Sequence, residues 1–182
     1  GAIVAASSSL IADVSYKLGI AGYTFIHHNA DKVLDILKSI DCHYLCIKDR
    51  HCDYRKGAAA PIAEFKQKCA KAGVQCVAAG PLYFDNEPAA RKLFEFAKAY
   101  GIKTVTVVPY SNKKNAKGKS VKCESEESLD ILEKLVKEFD IKAGIHNHGP
   151  DMPTLYPTAE SIWARIKNRD SRIGMCLDVG HQ

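Results

Sequence analysis

The sequence predicts an α/β fold, a (β/α) TIM barrel that is incomplete, with about six of the eight βα units present. Three observations predict it. Short apolar runs alternate strictly with amphipathic helical segments, an order that demands a parallel sheet. The runs begin about every 30 residues, the length of one βα unit. Polar, chemically capable side chains end several of the runs, on the face where barrels of this kind build their sites. An open doubly wound sheet shares the alternation. Its usual glycine-rich phosphate turn is missing, because the first strand leads into Tyr23-Thr24-Phe25-Ile26-His27-His28.

Residues 1–15 read as a flexible lead-in, and residues 16–182 as the partial barrel. Lys17–Phe25 is the first strand, with glycines that permit close packing. Ala30–Ile40 carries Val33, Leu34, Leu37 and Ile40 at helical spacing. Tyr44–Asp49 is strand two. Ala60–Ala72 aligns Ile62, Phe65, Cys69 and Ala72 on one stripe, and Gly73 stops it. Val74–Gly80 is strand three, closed by Pro81, and Glu87–Tyr100 is the helix that follows. Lys103–Pro109 is strand four, and Tyr110–Cys123 a polar, lysine-rich loop. Ser125 caps a helix over Ser125–Phe139, with Glu126 and Glu127 near the positive end of its dipole. Ile141–His148 is strand five, Thr158–Lys167 a helix carrying Trp163 as core or interface, and Ile173–Val179 strand six.

A chain of 182 residues buries roughly 70% of its unfolded surface, enough for one real core. The net charge of +5 comes largely from Lys113, Lys114, Lys117, Lys119 and Lys122. Such a run is a solvated loop or a binder of phosphorylated or acidic ligands. No apolar run approaches the ~18 residues of a membrane span. The seven cysteines show no zinc-type C-x-x-C and look unpaired. They favour the cytoplasm. The small, serine-rich Ala2–Ser9 suits the alternative, an exported or periplasmic protein whose signal was removed.

The chemistry concentrates at two strand ends, Ile145-His146-Asn147-His148-Gly149 and Cys176-Leu177-Asp178-Val179-Gly180-His181. Side chains alternate along a strand, so His146 and His148 share a face. Asp178 lies within the apolar run Met175–Val179, where a bare carboxylate is costly unless it is paired or bound to metal. Lys48 and Arg172 are its candidate partners. His146 and Asp178 suit a divalent metal, and the imidazole leans toward zinc, manganese, cobalt or nickel over magnesium. His181 stands just past strand six, within reach of a substrate. Lys48 ends strand two and is suited to proton transfer or to holding a substrate oxygen. His51 is a further substrate-binding candidate nearby.

On the motifs G-I-A-G-Y-T-F, L-C-I-K-D, H-N-H-G-P and G-M-C-L-D-V-G-H, the chain resembles the sugar phosphate isomerase/epimerase family with the xylose isomerase-like TIM barrel. The resemblance runs from about Tyr16 to Gln182. It implies a divalent metal held by residues from strands five to eight, with Asp178 as the strand-six ligand. His181 then contacts substrate, and His148, which matches the second histidine of the strand-five motif, is a substrate-binding candidate. The strand-five ligand position falls on His146, where relatives usually carry glutamate. The strand-seven and strand-eight ligands have no counterpart, so the resemblance implies a C-terminally truncated barrel.

The implied activity is metal-dependent proton abstraction next to a carbonyl of a sugar or keto-sugar, with Lys48 and His181 as catalytic groups. Two alternatives stay open: elimination of 3-keto-glycosides on the same barrel, and a non-catalytic carbohydrate-binding relative. The expected ligand is a small sugar or keto-sugar, without nucleic acid, and with a possible homodimer. Abasic-site endonucleases share the barrel, but resemble a multi-zinc site with more His and Glu ligands than this sequence offers.

Overall fold

The computed structural model describes residues 17–56 and 59–181. Its order is β1 (Ile20–Ala21), α1 (Ala30–Ser39), β2 (Tyr44–Ile47), α2 (Ala59–Lys71), β3 (Gln75–Phe84) and α3 (Glu87–Tyr100). There follow β4 (Thr104–Pro109), β5 (Ser111–Lys114), β6 (Ser120–Cys123), α4 (Glu126–Phe139), β7 (Lys142–His146), α5 (Ala159–Ile166) and β8 (Ile173–Cys176). Six strands form one sheet in the order β1-β2-β3-β4-β7-β8, every neighbouring pair parallel. This is an arc of a (β/α) barrel, as the alternation predicts. The lead-in assigned to residues 1–15 lies outside the described residues.

The helices begin where their caps dictate. Asn29 accepts from the Lys32 N–H, Asn86 from Ala89, and Ser125, as predicted, from Ser128. Thr158 and Ser161 close a reciprocal capping box on α5. Each helix lays an apolar stripe on the sheet. Leu37, Leu93, Leu129, Leu132 and Ile162 are fully buried against Leu45, Ile47, Val105, Val107 and Ile145. Each such side chain contributes about 1.5–3 kcal/mol by leaving water.

Four sequence-based expectations change. The first strand pairs only over Ile20–Ala21, and Gly22–Phe25 winds into a 3-10 turn that buries Phe25. Strand three runs through Pro81 to Phe84, because a register shift between Ala79 and Leu82 accommodates a residue with no N–H to donate. The lysine-rich loop is an antiparallel hairpin, with Ser111 opposite Cys123 and Lys114 opposite Ser120. Trp163 on α5 is 56% exposed, so of its two expected roles the core one does not hold. All seven cysteines are free thiols. Among the described residues, no helix is long and apolar enough to cross a membrane.

Two features hold the architecture together. Gly80, at φ +129°, lies so close to β4 that a Cβ there would sit 2.2 Å from the Thr106 carbonyl oxygen. Arg169 ties α5 to α4. Its guanidinium, 13% exposed, bonds Glu126, Asp130 and Glu133 at 2.7, 2.8 and 3.1 Å.

Gly80→Ala is expected to lower the unfolding free energy by about 3 kcal/mol or more in urea titration, since backbone strain and the clash add. Arg169→Met is expected to cost about 1–3 kcal/mol at neutral pH. The Arg169 hydrogen bond foremost holds the Glu126 carboxyl below its ordinary value of 4.5. A lowered carboxyl stabilises the fold above that value and ceases to do so as pH falls through the folded one. The penalty of Arg169→Met should therefore shrink in urea titrations as pH falls below 4.5.

Candidate active site

The site begins where the β7–β8 ladder stops. Its last backbone register pairs His146 with Cys176. Beyond it, the Asn147 side chain replaces the missing strand. Its Oδ1 accepts from the Asp178 N–H at 2.7 Å, and its Nδ2 donates to the Asp178 carbonyl at 3.1 Å. Asn147 is completely buried. Gly149 then turns at φ +70° against the 3-10 turn Val179–His181, where a Cβ would lie 2.4 Å from the His181 carbonyl oxygen. These contacts fasten the two predicted strand ends side by side.

Asp178 itself departs from expectation. It is not inside a strand, and its side chain is 40% exposed. The reason is local. Its Oδ1 accepts from the Gly180 N–H at 2.9 Å, a turn that competes with continuing β8. Neither Lys48 nor Arg172 pairs with it: Lys48 lies 3.5 Å from Asp49, and Arg172 bonds Asp140 and Asp170. Its other oxygen faces two imidazoles. Oδ2 is 3.4 Å from His146 Nε2 and 3.7 Å from His181 Nε2.

The three histidine rings gather here. His146 is 5.3 Å from His148 and 5.9 Å from His181 between ring centres, and His148 stacks on His181 at 6.4 Å. Their settings differ. His148 Nδ1 donates to the Leu155 carbonyl at 3.1 Å, and its Nε2 accepts from the Tyr83 hydroxyl. Both nitrogens are thus engaged in the neutral form. Burial, reinforced by the His146 charge, pushes its pKa down to about 4. His146 is also lowered, first by burial, against the pull of Asp178. Its Nδ1 is buried without a partner.

Two donors fit a metal. An imidazole nitrogen and a carboxylate oxygen, each about 2.1 Å from a tetrahedral ion, stand about 3.4 Å apart. His146 Nε2 and Asp178 Oδ2 have that separation, which is long for a hydrogen bond. Among the described residues, no three His, Cys, Asp or Glu side chains are placed to enclose an ion.

Lys48 follows β2, and its Nζ donates to the Pro81 carbonyl at 2.9 Å. It therefore lies against β3, two residues before Tyr83. His51 is placed elsewhere. Its Nε2 donates to the Phe25 carbonyl at 3.1 Å, and it lines a recess with Cys52, Asp53, Glu64 and Lys68. The structure brings together His146, His148, Asp178 and His181, and leaves His51 on a different recess.

The family model for the xylose isomerase-like TIM barrel matches residues 21–182. The chain belongs to this family. Among solved structures, it is similar to an uncharacterized protein from Parabacteroides distasonis, with 23% identity and a TM-score of 0.71. It is also similar to D-psicose 3-epimerase from Clostridium cellulolyticum, crystallised with D-tagatose, at 15% identity and TM-score 0.68. A xylose isomerase domain protein from Planctomyces limnophilus aligns at 12% identity and TM-score 0.61. The alignments cover 91%, 91% and 92% of this chain, and it spans 64% of the length of each of these relatives. At these identities the likeness carries the fold alone. No curated protein matches the sequence.

Sequence reasoning missed two residues of the site. Tyr83 enters it only because β3 continues past Pro81. Asn147 escapes sequence reasoning because alternation points it away from the histidines, and its role is to pair a neighbouring backbone.

Asn147→Ala removes two buried hydrogen bonds. It is expected to lower stability by about 2 kcal/mol in urea titration. Hydrogen exchange at the Asp178 amide should accelerate beyond what that global loss explains.

Proposed function

We propose that this protein is a metal-dependent enzyme of the sugar isomerase/epimerase type, which removes a proton next to a carbonyl of a sugar or keto-sugar. The observation that carries this reading is the cluster of His146, Asp178 and His181 at the C-terminal ends of adjacent parallel strands. Membership of the xylose isomerase-like family and the fold shared with D-psicose 3-epimerase support it.

In this reading His146 and Asp178 hold a divalent cation, with manganese, zinc, cobalt and magnesium as candidates. Such an ion, when bound, would polarise the substrate carbonyl. The protein's own groups do the rest. His181, at the mouth, takes the proton from the carbon next to the carbonyl; the C–H electron pair becomes the C=C bond and the carbonyl π pair moves onto oxygen, giving an enolate. Lys48 donates to a substrate oxygen and limits the charge that builds there. His148, with both nitrogens engaged, holds Tyr83 and the wall of the site. Delivery of a proton to the opposite face of that carbon gives an epimer; delivery to the former carbonyl carbon, with the neighbouring hydroxyl giving up its proton to become the new carbonyl, gives an isomer.

A second reading keeps the first step. His146 stands where the resemblance implies a glutamate, and burial favours its neutral form. That leaves one base, which suits expulsion of a glycosidic substituent from a 3-keto-glycoside as the enolate collapses.

The test uses the intact gene product and a panel of keto-sugars in deuterated water. Deuterium is expected at the carbon next to the carbonyl, lost with chelator and regained with manganese. His181→Gln should slow exchange by about 100-fold or more. A panel with no metal-dependent exchange would leave a carbohydrate-binding protein as the better account.

A further inference from the structure

The hairpin of β5 and β6 carries one lysine over the site. The Lys122 ammonium lies 4.6 Å from the ring centre of Tyr83 and 4.8 Å from that of Tyr110. The rings themselves meet edge to face at 64°, with centres 6.5 Å apart, and form the two walls of a corner. Tyr83 is the residue whose hydroxyl donates to His148. The corner is therefore built onto the catalytic cluster.

The lysine's backbone is anchored as firmly as its head. Thr154 Oγ1 donates to the Lys122 carbonyl at 2.7 Å, and the Glu124 N–H donates to the Thr154 carbonyl at 2.9 Å. The next two residues of that segment hold His148: the Leu155 carbonyl accepts from its ring, and the Tyr156 carbonyl from its N–H. One short segment thus fixes both Lys122 and His148.

The aromatic faces stabilise the cation without taking up its N–H bonds in hydrogen bonding to oxygen. Among the described residues, no carboxylate lies within 4 Å of this ammonium, and no oxygen accepts from it. The other hairpin lysines, Lys113, Lys114, Lys117 and Lys119, stand exposed in solvent, whereas Lys122 is half-buried. A half-buried cation with three undirected donors, beside the histidine–aspartate cluster, is built for an anion.

We infer that Lys122, held in the corner of Tyr83 and Tyr110, recognises an anionic substituent of the substrate, a phosphate or a carboxylate carried on the sugar. This rests on the reading of the site as one for sugars. The ammonium, held over the two ring faces, offers charge-assisted hydrogen bonds to the oxyanion.

Calorimetric titration of the intact gene product with D-fructose, D-fructose 6-phosphate and D-glucuronate tests this. At least one charged sugar is expected to bind tenfold or more tighter than D-fructose, with a margin that shrinks as salt rises. Preference for the phosphate alone assigns a phosphate, and preference for the uronate alone a carboxylate. Lys122→Met should abolish the margin between the charged sugars and D-fructose. Lys122→Arg should keep most of it, and Lys119→Met all of it. A wild-type protein without a margin, a margin that ignores salt, or one that survives in Lys122→Met overturns the inference. So does a protein that binds none of the three. Should Lys122→Met fail to fold, the salt dependence and Lys122→Arg decide. The deuterium-exchange assay separates the two proposals. Exchange untouched by Lys122→Met leaves the reaction standing without the anion, and a charge margin without exchange leaves the recognition standing without the reaction.

Discussion

The site depends on a side chain that performs a backbone's work. Parallel strands β7 and β8 cease to pair at His146 and Cys176, yet the residues that follow must stay in register for the chemistry to be assembled. Asn147 supplies that register, since its amide has one acceptor and a donor pair in the spacing of a peptide group. It meets the N–H and carbonyl of Asp178 at 2.7 and 3.1 Å. Asp178 is thereby held with one carboxylate oxygen committed to Gly180 and the other turned to His146 and His181. An aspartate at that position would offer no donor to the carbonyl, and an alanine neither bond.

A second layer of order comes from the segment after β7. Leu155 and Tyr156 hold His148, the Tyr156 hydroxyl donates to the Pro109 carbonyl, and Thr154 holds the hairpin. These bonds run between the ends of β4, β6 and β7, so the mouth is a braced rim. It explains why two histidines two residues apart serve different ends. His148 spends both nitrogens on the rim, while His146 keeps one facing Asp178 and one buried without a partner.

The sequence made the architecture legible because each helix carries its own stripe and cap, and each strand its own apolar run. Ser125, Gly73 and the stripe of α4 are local signals and act locally. The clustering of His146, His148 and Asp178 was also legible, from alternation along a strand and from the polar groups at strand ends. What stayed hidden depends on contacts between distant segments. Alternation cannot say that Asp178 caps its own turn and so leaves the strand half-exposed. Composition cannot tell a lysine-rich loop from a hairpin that seats Lys122 on two tyrosines. Pro81 reads as a strand end, and only the register shift against β4 shows how the strand passes it to deliver Tyr83.

In the proposed function the two strand ends make one reactive centre, with His146 and Asp178 facing a common point. Anomalous diffraction from crystals of the intact gene product grown with manganese tests it most directly. The account predicts one strong manganese peak within coordination distance of His146 Nε2 and an Asp178 carboxylate oxygen, with His148 still bonded to Tyr83 and Leu155. A peak ligated by other residues, or full manganese occupancy with His146 and Asp178 untouched, would contradict it.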